Sequence, residues 1–398
     1  WNGDEGAAIR ELRILVARQP GDRDLAWALA NALNFDGQHR AALRGFLAQA
    51  APTHPGERAD LARAWRWAGY EERALPLLAD PIDADSRWLR DYRVRRELRS
   101  YGFVAIERAE DRDKLSVDAL VVAAGGHPSA GSTLELQARR LRLDDDFGDP
   151  QATQLRALYA WRVGAPDGER GTFWPTLALG ASHFPGWNPL TASARLRWVP
   201  RDGIRVDGEA ARELVEAPRA VAHRVTLDVL SAGVEARTDP PWVVAGSAAV
   251  LRFDDGSTRV RAAGRIERRV LARPRVALGV EGMAFERVAG ERDVDRGYWN
   301  PRRYAEARAY VALTHEIRPF ALQARVGVGS ARETDDAGQR SHGSPHLWEL
   351  ELGWDVSPTL RLRLAAGGSG QGLGVSAGGS GGAGYWRRYL NLRADVWF

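Results

Sequence analysis

LNLRADVWF, residues 390–398, places Leu390, Leu392, Ala394, Val396 and Phe398 on one face of an extended chain and Asn391, Arg393 and Asp395 on the other. Side chains alternate across a strand, so this period of two describes a strand with one wholly apolar face. At ~3.3 Å per residue the segment spans about 30 Å along its own axis, the length of a membrane-crossing strand.

The same period runs back to Tyr101 through about sixteen alternating segments bounded by turn residues. Segments 190–199, 258–270, 303–313, 320–328, 348–356 and 360–366 show it best. Ala194, Leu196 and Trp198 oppose Arg195 and Arg197, and Val260, Ala262 and Ile266 oppose Arg259, Arg261, Arg265 and Glu267. Leu350 and Leu352 oppose Glu349 and Glu351, while Leu360, Leu362 and Leu364 oppose Arg361 and Arg363. A soluble sandwich shows alternation too, with its apolar face inward. Three features favour lipid on that face.

First, the connections differ by parity. One set is compact and mostly proline-rich, as at Pro200-Arg201-Asp202-Gly203, Asp239-Pro240-Pro241, Ala272-Arg273-Pro274 and Ser357-Pro358. The other includes long segments at 287–302, 331–346 and 367–386. Short turns at one end and long loops at the other are the habit of membrane barrels. Second, aromatics gather near strand ends, where interfacial girdles are expected: Tyr101, Phe103, Trp174, Trp187, Trp198, Trp242, Tyr298, Trp299, Trp386, Tyr389 and Trp397. Third, a lipid-facing arginine near the midplane costs about 2–4 kcal/mol, so the strand arginines belong on a wet face. Sixteen strands enclose enough space to hold water. The expected lumen residues are Arg195, Arg197, Arg205, Asp207, Glu209, Arg259, Arg261, Arg265 and Glu267, followed by Glu306, Arg308, Arg325, Glu349, Glu351, Arg361, Arg363, Arg393 and Asp395. The plain alternative is that these charges pair only to solvate and brace the wall.

From Asp4 to Ala79 the period changes to three and four, broken by Pro20-Gly21, Gly37, Pro52, Pro55 and Gly69. Ala8, Ala42 and Ala74 recur at spacings of 34 and 32 residues. Leu29, Leu33, Gly37, Ala42 and Phe46, then Leu61, Trp65, Gly69 and Ala74, resemble the tetratricopeptide repeat in residue class. The chain thus reads as a tetratricopeptide-like α-solenoid over 1–80, a charged helical connector over 81–100 and a transmembrane antiparallel β-barrel of about sixteen strands over 101–398. The connector, with SRWLRDYRVRREL from Ser86 to Leu98, is expected to be solvated, and Trp27, Trp65 and Trp67 to pack the solenoid. Because the chain begins inside a helical pattern, further repeats are expected before Trp1.

Leu392, Val396 and a terminal Phe398 resemble the signal read by the assembly machinery of bacterial outer-membrane barrels. Repeats fused to such a barrel resemble the exopolysaccharide export porins, notably the outer-membrane exporters of cellulose and of poly-N-acetylglucosamine. Gly297-Tyr298-Trp299-Asn300-Pro301-Arg302-Arg303-Tyr304 is similar to a Gly-Tyr-aromatic-x-Pro-x-x-aromatic stretch of the cellulose-type barrels. The array here is shorter than in those exporters, and no deacetylase or synthase domain is attached. The resemblance implies an outer-membrane barrel passing a polysaccharide chain, with its repeats in the periplasm docking periplasmic or inner-membrane synthase components. It implies no catalysis and no cofactor.

Other chemistries are thinly supported. The 56 basic and 52 acidic residues leave a net charge of +4 and alternate along the chain, so no clustered basic surface for nucleic acid is expected. Lys114 is the sole lysine, and the absence of cysteine excludes disulfides and thiolate metal sites. No apolar run is long enough for a transmembrane helix. The histidines, His39, His54, His127, His183, His223, His315, His342 and His346, form no serine-histidine-acid pattern of the kind a barrel hydrolase needs. His342 and His346 in SHGSPH have metal-site spacing but no accompanying carboxylate pattern. The glycine-rich 367–384 lacks a phosphate-loop ending and reads as a linker or a mobile outer loop. The rival reading from another class is a surface receptor or scaffold of the phage-adsorption type, through which nothing passes.

Overall fold

The computed structural model describes residues 5–81, 83–112, 114–165, 171–238, 242–290, 298–369 and 386–398. Among these residues seven α-helices accompany a closed antiparallel barrel of sixteen strands. The strands are β1 (Tyr101–Asp111), β2 (Ser116–Gly126), β3 (Ser132–Asp144), β4 (Gln151–Trp161), β5 (Thr172–His183), β6 (Leu190–Arg201), β7 (Ile204–Leu214) and β8 (Thr226–Thr238). They continue as β9 (Trp242–Phe253), β10 (Thr258–Leu271), β11 (Arg275–Ala289), β12 (Arg303–Ile317), β13 (Phe320–Thr334), the short β14 (Arg340–Gly343), β15 (His346–Ser357), β16 (Leu360–Ser369) and β17 (Arg387–Trp397). Neighbours pair in chain order, and β17 closes on β1 from Tyr101↔Trp397 to Asp111↔Arg387. The Phe398 amide also donates to the Ser100 carbonyl at 3.0 Å. β14 stands outside the ring and lengthens the hairpin above β13, so part of the expected loop 331–346 is strand. No apolar signature marked it because that hairpin is polar on both faces.

Closure leaves no unpaired edge, which a strand in hydrocarbon requires. The outer wall is correspondingly apolar: Ile106, Leu120, Leu136, Leu179, Leu230, Val280, Val326 and Leu392 are all exposed. Sixteen strands ~4.8 Å apart, tilted by ~40°, enclose a cylinder roughly 30 Å across between backbones.

The N-terminal segment forms α1 (Glu5–Arg18), α2 (Arg23–Phe35), α3 (His39–Leu47), α4 (Pro55–Trp67), α5 (Glu71–Ala74) and α6 (Ala84–Leu89). Asp22 caps α2 by accepting from Leu25 N at 3.0 Å, and Pro55 starts α4. Gly37 and Gly69, with φ of +89° and +82°, follow α2 and α4 in the left-handed conformation that ends a helix. Small residues (Ala30, Ala42, Ala62, Ala64) and large ones (Leu33, Leu43, Phe46, Leu61) fill the helical core. Trp27 is buried on Phe46 with ring centroids 4.6 Å apart, Trp65 packs beside the same core, and Trp67 meets Phe35 edge-on at 5.4 Å.

These helices lie across one mouth of the barrel. Asp202, in the β6–β7 turn, accepts from Arg40 N at 3.0 Å and Ala41 N at 2.8 Å, capping α3 where Gln38 makes no side-chain cap bond. Tyr70 donates to Gly164 O at 2.8 Å, and Arg162 pairs with Glu72 at 2.5 Å, in the β4–β5 connection. About half the ring away, Arg318 pairs with Asp85 at 2.5 Å and Arg93 with Glu316 at 2.5 Å. The 81–100 segment is therefore not a solvated connector. Arg96 is only 3% exposed: it pairs with Asp355 and donates from Nε to Pro358 O at 2.9 Å. Its charges are matched to the barrel turns, and a sequence pattern cannot display a distant partner. The compact turns at 200–203, 272–274 and 357–358 lie at this end, while the described parts of 287–302, and 331–346, lie at the other. Asp239, Pro240 and Pro241 are outside the described residues.

Two titrating groups in the helices act with opposite sign. Burial lowers His39 to about 4, and burial, with Glu97 adding to it, raises Glu71 to about 7. A lowered histidine loses stability as pH falls below its unfolded value; a raised carboxyl loses stability as pH rises above its own. Between about pH 4.5 and 6.5 the two slopes nearly cancel. Glu71→Gln should remove one of them, so the urea midpoint of the helical circular-dichroism signal should climb with pH between 4.5 and 6.5. A variant as flat as the parent would contradict the assignment.

Candidate functional site: the lumen and its two mouths

Every expected lumen residue lies on the face of its strand opposite the exposed apolar row. The structure joins most of them into a series of ion-pair clusters set around the wall. Arg195 donates to Glu209 at 2.6 Å, Arg197 to Asp207 at 3.0 Å, and Arg205 to Asp207 at 2.7 Å. Glu235 then gathers Arg265 at 2.8 Å, Arg237 at 3.2 Å and Arg205 at 3.5 Å. Tyr310 donates to Glu267 at 3.1 Å and lies under the Arg325 guanidinium at 3.8 Å. Arg325 and Arg308 share Glu281, Arg308 also meets Glu306 at 3.2 Å, and Tyr304 donates to Glu306 at 2.7 Å. Arg363 and Arg393 hold Asp395 at 2.7 Å each, and Arg361 stands 3.8 Å from Asp355. Glu349 is 3.8 Å from Arg325, whereas Arg261 and Glu351 form no ion pair with a described residue.

Tyr310 lies flat because glycine faces it. A Cβ on Gly279 would meet the tyrosine ring at 2.2 Å, so only glycine lets the ring cover its neighbour.

Glu235 and Glu281 were missed in the sequence because Gly233, Gly279 and Gly282 blur the alternation around them. Tyr304 was missed because an aromatic beside a strand end reads equally well as an interfacial residue, whereas Tyr310, at the middle of β12, shares the face of Glu306 and Arg308 and could have been placed inward by its period. The direction of several other aromatics is also corrected. Tyr101, Phe103, Trp174, Tyr389 and Trp397 occupy inward positions; the Arg393 guanidinium lies 3.5 Å from the Phe103 ring and that of Arg96 lies 4.4 Å from Trp397. Tyr298 stacks on Phe253 at 4.2 Å, and Trp299 packs edge-on to Phe285 and Tyr304. Arg259 donates to Asn300 Oδ1 at 2.7 Å, so 298–304 anchors a loop onto the inner wall; Gly297 lies outside the described residues. The outward girdle is at the helix-bearing end: Tyr159 with Trp161, Phe173 with Trp198, and Phe320 with Trp354 stack in pairs beside Trp242.

A second correction concerns the lumen's polarity. The inner faces of β2 and β3 present Val117, Ala119, Leu141 and Leu143, and those of β8 and β9 present Leu227, Val229, Leu251 and Phe253, all buried. They are covered by residues 215–225, which fold inward at the mouth away from the helices and carry α7 (Pro218–Ala222). Val215, Ala217, Ala220, Val221 and Val225 pack on those walls. Glu216 crosses to Arg139 on β3 at 2.5 Å. Next to this segment a polar cavity of about 330 Å³ remains, lined by Gln137, Gln154, Arg156, Ser193 and Glu213 among others. The sequence signal was present in β2, which is apolar on both faces, as a strand facing lipid on one side and a packed core on the other must be.

Among the described residues no group of three or more histidines or carboxylates is placed to hold a metal. His183 bonds Asn188 at 2.6 Å and His127 bonds the Ser132 carbonyl at 3.0 Å, both local turn contacts. All but the first three residues of the glycine-rich 367–384 lie outside the described residues.

An all-next-neighbour barrel with an apolar exterior and a charged, partly plugged interior defines a membrane-spanning β-barrel. The chain is similar to a solved structure described as a bacterial polysaccharide outer membrane secretin, with a TM-score of 0.57 at 12% identity over 76% of this chain and 99% of that one. It is also similar to OccK11 of Pseudomonas aeruginosa (TM-score 0.39, 10% identity, 75% of this chain and 95% of that one). A third is an anion-selective porin from Comamonas acidovorans (TM-score 0.36, 9% identity, 75% and 98%). No protein-family model and no curated protein matches the chain. The first likeness shows the fold alone, a closed antiparallel β-barrel.

Proposed function

We propose that the protein is a gated, non-enzymatic outer-membrane conduit for a polysaccharide chain, with its helices on the periplasmic side. The observation that carries this reading is the series of mutually paired charge clusters set around the wall from β6 to β17. Charges already engaged with one another present many weak polar contacts and no single tight site, which suits a chain that must keep moving. Facing the periplasm, tetratricopeptide-like helices would receive the growing glycan and dock periplasmic or inner-membrane synthase components. The barrel-assembly machinery would read Leu392, Val396 and Phe398. The receptor or scaffold reading is favoured by one observation, that structure obstructs both mouths.

Planar-bilayer recording of the full chain separates the two. A conduit should open, and neutral oligosaccharides should block its current increasingly with chain length. Arg261→Glu with Arg265→Glu should move the reversal potential in a salt gradient toward cation preference. A barrel that never conducts, even with residues 215–225 removed, is a scaffold.

A further inference from the structure

The outer wall differs between its two ends. On the lipid-facing positions the apolar run gives way, at the end away from the helices, to charged residues, the exposed arginines Arg140, Arg142, Arg212, Arg252, Arg303, Arg332 and Arg388 interleaved with Asp118, Asp228 and Glu286. At the helix-bearing end the only charged strand residue facing lipid, among those described, is Arg268, and its guanidinium lies 5.4 Å from the Trp242 ring. Outward aromatics are more numerous at the helix-bearing end, with Trp348 on the lipid face at the other, and the charged side chains gather at that other end. A rim of mixed charge with arginine in surplus suits a leaflet of densely anionic headgroups at that end.

The guanidinium groups are densest on β12–β14. Arg303 faces Thr334, Thr334 faces Arg340, and Arg332 faces His342 in the strand register, which places the three arginines within about 10 Å of one another along the backbone. Arg303 holds Glu286 at 2.7 Å, but neither Arg332 nor Arg340 forms an ion pair with a described residue. A planar guanidinium presents paired donors matched to phosphate oxygens. We propose that this rim binds the phosphate groups of a saccharide lipid carrying phosphomonoesters, through Arg332 and Arg340 with Arg303 and His342 alongside. A glycerophospholipid, with one diester charge per headgroup, would leave part of the cluster unanswered. The proposal stands apart from the conduit reading, since it concerns the outer surface alone.

Native mass spectrometry of the detergent-purified full chain tests it, with diphosphoryl lipid A, monophosphoryl lipid A and phosphatidylglycerol as probes. The parent protein should bind the diphosphoryl form most tightly and phosphatidylglycerol least. Arg332→Ser with Arg340→Ser should weaken diphosphoryl lipid A binding roughly 25-fold, each interfacial cation contributing about fivefold. Arg268→Ser, at the other interface, should leave it unchanged, and unheated gel mobility reports that each barrel has folded. Equal affinity in the double variant, or a parent protein that takes phosphatidylglycerol as readily, overturns the proposal.

Discussion

Replacing residues 215–225 by a short glycine-serine turn should raise single-channel conductance about two- to fivefold, because the segment packs inward on the walls of β2, β3, β8 and β9 at one mouth of a ~30 Å barrel. The expectation follows from where its side chains go. Val215, Ala217, Ala220, Val221 and Val225 are buried against β2, β3, β8 and β9, so the segment is held as a lid by its own apolar face. Its removal uncovers Leu141, Leu143, Leu227 and Leu251, each costing about 1.5–3 kcal/mol of lost burial. The interstrand hydrogen bonds do not depend on that cluster, and the closed ring should persist with a wetter lumen. A gentler variant uses electrostatics. Arg139→Glu places a carboxylate against Glu216 and near Glu107 where a guanidinium now pairs with both, at 2.5 and 3.3 Å. It should unseat the segment without shortening the chain and raise open probability more than open-state current. Unchanged recordings from both variants would mean that this loop is no barrier to ions.

What could be read in the sequence, and what could not, follows from the solvent on each side of the wall. Hydrocarbon tolerates no polar side chain, so the outer face is apolar at nearly every second position, and Leu190 to Leu196 or Leu360 to Leu364 announce it. The inner face answers to a local environment that varies around the ring. Where water and charge meet it, as on β10 and β12, alternation is sharp and the arginines could be named. Where residues 215–225 press on β2, both faces are apolar and alternation reports nothing about the interior. Tyr304 and Trp397 could not be directed inward from sequence, since a ring at a strand end suits a lipid interface and a packed lumen equally. Arg93 and Arg96 read as solvated because Asp355 and Glu316 lie more than two hundred residues away, beyond any periodic signal.

That long-range cluster sets the second large effect. Asp355 has a side chain only 4% exposed and is surrounded by Arg96, by Arg93 at 3.4 Å and by Arg361 at 3.8 Å. Asp355→Leu removes the carboxylate that Arg96, Arg93 and Arg361 share, which leaves buried Arg96 without an ion pair to a described residue and Arg93 with Glu316 alone. Breaking such a pair from one side costs about 3–5 kcal/mol. The barrel loses no backbone hydrogen bond, so the loss should fall on the docking of 86–98. Trypsin, which cleaves after arginine, should then cut between Arg87 and Arg99 at least tenfold faster, since about 1.4 kcal/mol of opening already gives a factor of ten when cleavage follows the open population. Arg96→Met alone should cost less, because Arg93 and Arg361 still attend the carboxylate. With both substitutions in place the loss should be smaller than the sum of the two, the signature of a coupled pair. Strictly additive cleavage rates would show that Arg96 and Asp355 act independently. The same variants bear on gating, because the helices and residues 215–225 obstruct the lumen in series. Asp355→Leu combined with the loop replacement should conduct more than either alone, and failure of the combination to exceed the loop variant would make the helices a brace on the turns, with the mouth beneath them already open.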